Sequence, residues 1–162
     1  MPRSLLLAAF AFLKHATGGA VPAGDLSVTH PDRPRGVLVW IHADTSADRI
    51  ALLETAERLY VTDRLGAVLL TGSTGSEPLP EGVIAAEFPG ESRRSVEQFV
   101  DHWRPDLLVL TGSPLRPMLM AALDRRDTPA LLVAGRIERA SYKRWRWMAP
   151  VARRILSRFG IL

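Results

Sequence analysis

Two aspartates, Asp44 and Asp48, bracket the turn Asp44-Thr45-Ser46-Ala47-Asp48, which follows the apolar run Val37-Leu38-Val39-Trp40-Ile41-His42 and opens a helical stretch. A carboxylate at such a turn can take a proton from an acceptor hydroxyl, and the free backbone N–H groups of a helix start can hold a phosphate or carboxylate. A purely local role is the competing reading: Ser46 caps the helix and Asp48 favours its positive end.

Three further segments carry candidate polar groups. Thr71-Gly72-Ser73-Thr74-Gly75-Ser76-Glu77 is rich in small donors and glycines, as a phosphate cradle would be, but it lacks the lysine and spacing of a P-loop. Thr71 and Ser73 therefore read as contacts to an acceptor, or as part of a connector. Thr111-Gly112-Ser113-Pro114-Leu115-Arg116-Pro117 offers Ser113 and a cation, Arg116, able to grip an anion with two parallel hydrogen bonds. Pro114 suits the first position of a helix. Gly135-Arg136 supplies a second cation. Without cysteine there is no disulfide and no thiolate metal site, and His15, His30, His42 and His102 lack zinc-binding spacing, so no metal is expected.

The elements that must position these groups follow from the hydrophobic pattern. Runs apolar on both faces, each bounded by turn residues, predict strands at Val37–His42, Ala67–Thr71, Val83–Glu87, Leu107–Thr111 and Ala130–Ala134. Helical stretches fall between them at Ala47–Asp63, Ser92–Trp103 and Pro114–Arg126, with Ser46 and Ser92 as caps. Strands buried on both faces and alternating with amphipathic helices predict an α/β fold, a Rossmann-like three-layer arrangement around a five-stranded parallel sheet. Ligands in such sheets bind at the carboxyl ends of the strands, which is where all four polar segments lie.

At 162 residues, with 47% hydrophobic and 7% aromatic residues, the chain is expected to fold as one ordered domain. The domain is expected over residues 36–162, after an apolar helix at 1–15 and a Gly/Pro/Asp-rich linker at 16–35. The run Leu5–Leu13 is too short to span a bilayer and reads as an interfacial helix or a leader, the former preferred. The net charge of +4 conceals an uneven distribution, because eight of the 21 basic residues lie from Arg136 onward beside one acid, Glu138. Interleaved with Trp145 and Trp147, that block suits an anionic membrane surface or forms a solvated helix face; Trp145, Trp147 and Met148 read as core or as interfacial residues. Recognition motifs for nucleic acid are missing, so no nucleic-acid partner is expected.

Three separated motifs resemble the N-terminal domain of the 3-deoxy-D-manno-octulosonic acid (Kdo) transferases: Arg35-Gly36-Val37-Leu38-Val39-Trp40-Ile41-His42-Ala43, Phe99-Val100-Asp101-His102-Trp103-Arg104-Pro105-Asp106-Leu107-Leu108, and Arg136 with Ser141-Tyr142-Lys143-Arg144-Trp145. The resemblance implies the N-terminal, acceptor-side half of a GT-B glycosyltransferase of lipid A and lipopolysaccharide core assembly, peripheral on the cytoplasmic face of the inner membrane. The implied partners are a lipid A precursor or related anionic glycolipid and the membrane surface. The donor CMP-Kdo would need a separate domain or chain, and no cofactor is expected. Asp48 stands where the family's proposed general base is Glu. The resemblance places His42, Ser46, Thr71, Ser73, Ser113, Arg116 and Arg136 on the acceptor side. The family's Glu-Thr-Glu-Leu-Trp-Pro segment aligns with Gly112–Pro117, so two carboxylates and a tryptophan are replaced and Arg116 enters. Two functions stay open: an acceptor-side glycosyltransferase half, or a non-catalytic lipid- or glycan-binding or regulatory module.

Overall fold

The computed structural model describes residues 31–63, 65–137 and 139–160. The expected helix at 1–15 and most of the linker lie outside them. Six parallel strands form one sheet: β1 (Leu38–Ala43), β2 (Ala67–Gly72), β3 (Val83–Ala85), β4 (Leu107–Gly112), β5 (Ala130–Gly135) and β6 (Phe159–Gly160), in the order β3-β2-β1-β4-β5-β6. Five were expected; β6 is a two-residue addition that pairs with β5. It is too short for a periodic signal. The helices are α1 (Ser46–Asp63), α2 (Arg93–Trp103), α3 (Pro117–Asp124), α4 (Arg139–Arg146) and α5 (Ala149–Leu156).

Alternation along β1 divides the core. Leu38 and Trp40 point into one layer with Phe99 and Trp103 of α2, Leu119 and Leu123 of α3, and Trp145, Val151 and Ile155. Val39, Ile41 and Ala43 point the other way, onto Leu52, Leu53 and Ala56 of α1. Every residue of β1 is buried, which explains its continuous apolar run and its place between β2 and β4. Trp40 is wholly buried and packs against Phe99 at 4.9 Å between ring centroids. The Rossmann-like three-layer α/β expectation is met.

Local details differ from the sequence reading. Helix α1 is capped by Thr45, one residue before Ser46: its Oγ1 accepts from the Asp48 amide at 3.1 Å, while the Asp48 carboxylate accepts from the Thr45 amide at 3.2 Å. This reciprocal pair is a capping box, with Asp in place of the usual Glu or Gln. Ser92 caps α2 as expected. Helix α3 starts at Pro117 and not at Pro114, because a residue before proline is pushed out of the helical region, and Arg116 sits at φ −114° and ψ 81°. Trp145 is buried in the core, Met148 is packed partly against it, and Trp147 is 83% exposed.

Candidate functional site

The sheet order reverses at β1, whose neighbours β2 and β4 run to opposite sides, so the carboxyl ends of these three strands border a crevice. His42 is the last inward-facing residue of β1 on the α2 side. Its Nδ1 lies 3.0 Å from Thr71 Oγ1, which also accepts a hydrogen bond from Trp40 Nε1 at 2.8 Å. Its Nε2 lies 3.1 Å from Arg116 Nη2. A guanidinium can only donate, so Nε2 is the accepting nitrogen and Nδ1 carries the proton, donating to Thr71. Burial, and then the Arg116 charge, lower the His42 pKa to about 3. The ring is therefore neutral at physiological pH, and it orients Arg116.

The guanidinium of Arg116 collects groups from two other segments, the exit of β1 and the connection between β3 and α2. It donates to Asp44 Oδ1 at 3.2 Å and to Glu91 Oε1 at 3.3 Å, and it stacks over Phe88 at 4.9 Å from the ring centroid. Its Nε is buried and meets no acceptor among the described residues. Exclusion from the helix by Pro117 is what lets Arg116 reach back to β1. Arg116 thus has two carboxylates beside it, Asp44 and Glu91, both supplied from other segments.

Asp48 is engaged separately. Its Oδ2 accepts from both the amide and the hydroxyl of Thr45, and Arg136, from the loop after β5, forms an ion pair with the same oxygen. The structure thus makes two carboxylate–arginine centres on one edge, Asp44 with Arg116 and Asp48 with Arg136. Thr71 is buried, with its hydroxyl engaged as described. Ser46 is exposed at the first position of α1, and Ser113 and Ser73 are half-buried. Among the described residues no cluster of three metal-ligating side chains is found.

Strands β2 and β4 end in Gly72 (φ 101°) and Gly112 (φ 70°), both in the left-handed region. A Cβ on Gly72 would overlap the Ala43 carbonyl oxygen, and one on Gly112 would overlap the Asp44 carboxylate. The exit of β1 passes between them. Thr111 fixes the same point, its Oγ1 donating to His42 O at 3.1 Å and accepting from the Asp44 amide at 3.0 Å.

Three participants escape sequence reading, Arg49, Phe88 and Glu91, while Glu77 ends the segment already singled out at Thr71–Glu77. Arg49 is 6% exposed, and its Nη1 donates to Ser73 O at 3.1 Å. A weak signal was available for Arg49, which lies one residue after Asp48 in the first turn of α1. Nothing marks Phe88 or Glu91, which come from the irregular segment between β3 and α2.

Comparison with known proteins gives the family. A family model described as 3-deoxy-D-manno-octulosonic-acid transferase (kdotransferase) matches residues 17–162. A curated relative, the probable mitochondrial 3-deoxy-D-manno-octulosonic acid transferase of Arabidopsis thaliana, is 27% identical over 143 residues, a match covering 82% of this chain and 32% of the relative. The chain thus spans about a third of that relative's length. Among solved structures, the spinosyn forosaminyltransferase SpnP aligns over 75% of this chain and 31% of its own, at 16% identity and a TM-score of 0.44. The glycosyltransferase SnogD from Streptomyces nogalater aligns over 72% and 29%, at 16% identity and 0.41. With the family model covering all of the described fold and the edge that carries Asp44, Asp48, Arg116 and Arg136, this chain belongs to the 3-deoxy-D-manno-octulosonic-acid transferase family.

Proposed function

We propose that this chain is the acceptor-side half of a Kdo-transferase-type, GT-B glycosyltransferase, holding an anionic glycolipid such as a lipid A precursor at the carboxyl edge of its sheet. The observation that carries this reading is the pairing of Asp44 with Arg116 and Asp48 with Arg136 on that one edge. Arginine suits phosphate groups because it presents a planar fork of donors. Asp48 is the carboxylate placed to accept a hydroxyl proton once Arg136 has moved to an acceptor anion. His42, Thr71, Ser46, Ser73 and Ser113 shape the acceptor side, His42 by orienting Arg116. The donor, CMP-Kdo in this reading, is held by a separate domain or chain, and no cofactor takes part. Work at the cytoplasmic face of the inner membrane fits the acceptor's chemistry and the basic C-terminal region.

A second reading is a non-catalytic lipid- or glycan-binding or regulatory module. It is favoured by the Asp48 carboxylate, which already accepts from Thr45 twice and from Arg136. The test measures transfer from CMP-Kdo to a lipid A precursor by the purified chain, alone and with candidate donor-binding chains. The chain alone is expected to be inactive while still binding the precursor. With a donor partner, Asp48→Ala should lower turnover by about 100-fold or more, the range for loss of a general base, and Asp48→Glu should raise it. Turnover indifferent to Asp48→Ala removes Asp48 from the base role; precursor binding without turnover in every combination selects the binding module.

A further inference from the structure

Outside the two carboxylate–arginine centres, the most deeply buried cation on this edge is Arg49. Its side chain is 8% exposed, yet only Nη1 makes a hydrogen bond of ordinary length, to Ser73 O. The Nε contact to Glu77 Oε2 is long, at 3.4 Å, and Glu77 is itself 38% exposed. Among the described residues three of the five guanidinium N–H donors have no protein partner, which leaves them open to solvent or to a ligand. Arg49 lines a cleft of about 460 Å³ between the ends of β2 and β3, together with Ser73, Thr74, Gly75, Phe88 and one carboxylate, Glu87. The amides of Thr74 and Gly75 donate to no group among the described residues. Phe88 forms a wall of this cleft and also carries Arg116, so the cleft adjoins the Asp44–Arg116 centre.

We propose that this cleft is an oxyanion site in which a phosphate monoester or a carboxylate displaces Glu77 from Arg49 and lies along the Ser73–Gly75 backbone. Two features make the exchange favourable. The incoming anion can meet the guanidinium with two parallel hydrogen bonds where Glu77 has one long contact, and Glu77 can turn to solvent. On the acceptor reading above, the oxyanion is a phosphate of the glycolipid; that assignment rests on the reading, while the affinity of the cleft for an oxyanion does not.

Titration calorimetry of the full chain with inorganic phosphate, and separately with acetate, at constant ionic strength tests the proposal, with amide NMR to locate the site. Phosphate should shift the Ser73–Ser76 amide resonances. Arg49→Gln should weaken phosphate about tenfold or more, as expected for losing a bidentate charge-assisted contact. Glu77→Gln should tighten it about threefold or more, because the internal competitor is gone; a pair serving only to hold the loop would show no such gain. Should Arg49→Gln fail to fold, the Glu77→Gln affinity and the amide shifts decide. Glu77→Gln binding phosphate equally or more weakly, or shifts absent from Ser73–Ser76, overturns the site. Tighter phosphate than acetate assigns a phosphate ligand, and the reverse a carboxylate. Phosphate in the cleft with no binding of lipid A precursor keeps the site and fails the acceptor reading. Precursor binding with phosphate inert does the opposite.

Discussion

His42 shows how one buried ring can hold a charged neighbour in place. It is buried, its Nδ1–H is given to Thr71, and its Nε2 holds Arg116. Its folded pKa of about 3 lies below the ordinary value of 6.5, so the neutral form is the one the fold prefers. Below pH 6.5 the unfolded chain takes up a proton that the folded chain refuses, so its stabilising contribution is complete above pH 6.5 and is lost as pH falls from 6.5 towards 3. The loss approaches about 1.4 kcal/mol per pH unit in that window. Denaturant titrations from pH 7 to pH 3.5 should therefore show a steeper acid decline in the wild type than in His42→Leu. Equal slopes would mean that His42 titrates normally. Its buried partners were out of reach of sequence reading, since nothing in the spacing of His42, Thr71 and Arg116 announces that a single ring bridges them.

At the scale of the element, the end of α4 separates two tryptophans that sequence reading treats together, Trp145 within the helix and Trp147 just past it. Trp145 is in the core, while Trp147 is exposed beneath the Arg146 guanidinium, 5.8 Å from its ring centroid. Arg139, Tyr142, Lys143, Arg146 and Trp147 are all exposed and recur at i, i+3, i+4, i+7 and i+8, so cations and aromatics share one helical face. That face follows the loop of Arg136, on the edge that carries the candidate site. Vesicles containing anionic lipid should bind the chain more tightly than neutral ones, with binding falling as salt rises. A double change, Arg146→Glu with Trp147→Ala, should reduce binding about tenfold or more, and cosedimentation that ignores both changes would leave α4 as a solvated face. The strands were legible because each is short and apolar on both sides. The start of α3 was not, since two prolines compete for one position and only the backbone at Arg116 decides between Pro114 and Pro117.

For the whole molecule, the order β3-β2-β1-β4-β5-β6 places every candidate group on one edge. That much was readable from the alternation of strands and helices and from the rule that ligands meet the carboxyl ends. The composition of the centres was not readable, because Asp44, Phe88, Glu91 and Arg116 come from three segments whose meeting depends on how α2 and α3 pack. No described helix is long and apolar enough to cross a membrane. The two glycines beside the exit of β1 have a further consequence for how this edge can evolve. On the function proposed above Asp44 and Asp48 carry the chemistry, and both pair with arginines that can adjust. Gly72 and Gly112 carry none, and any side chain there collides with Ala43 O or with Asp44 while also straining the backbone. In a saturation library scored for folding, positions 44 and 48 should accept many residues, with capping losses at 48 of about 1 kcal/mol, and positions 72 and 112 almost none. A lineage can thus exchange the reactive groups at this edge by single mutations, while the empty volume that aims them stays under selection whatever chemistry they perform.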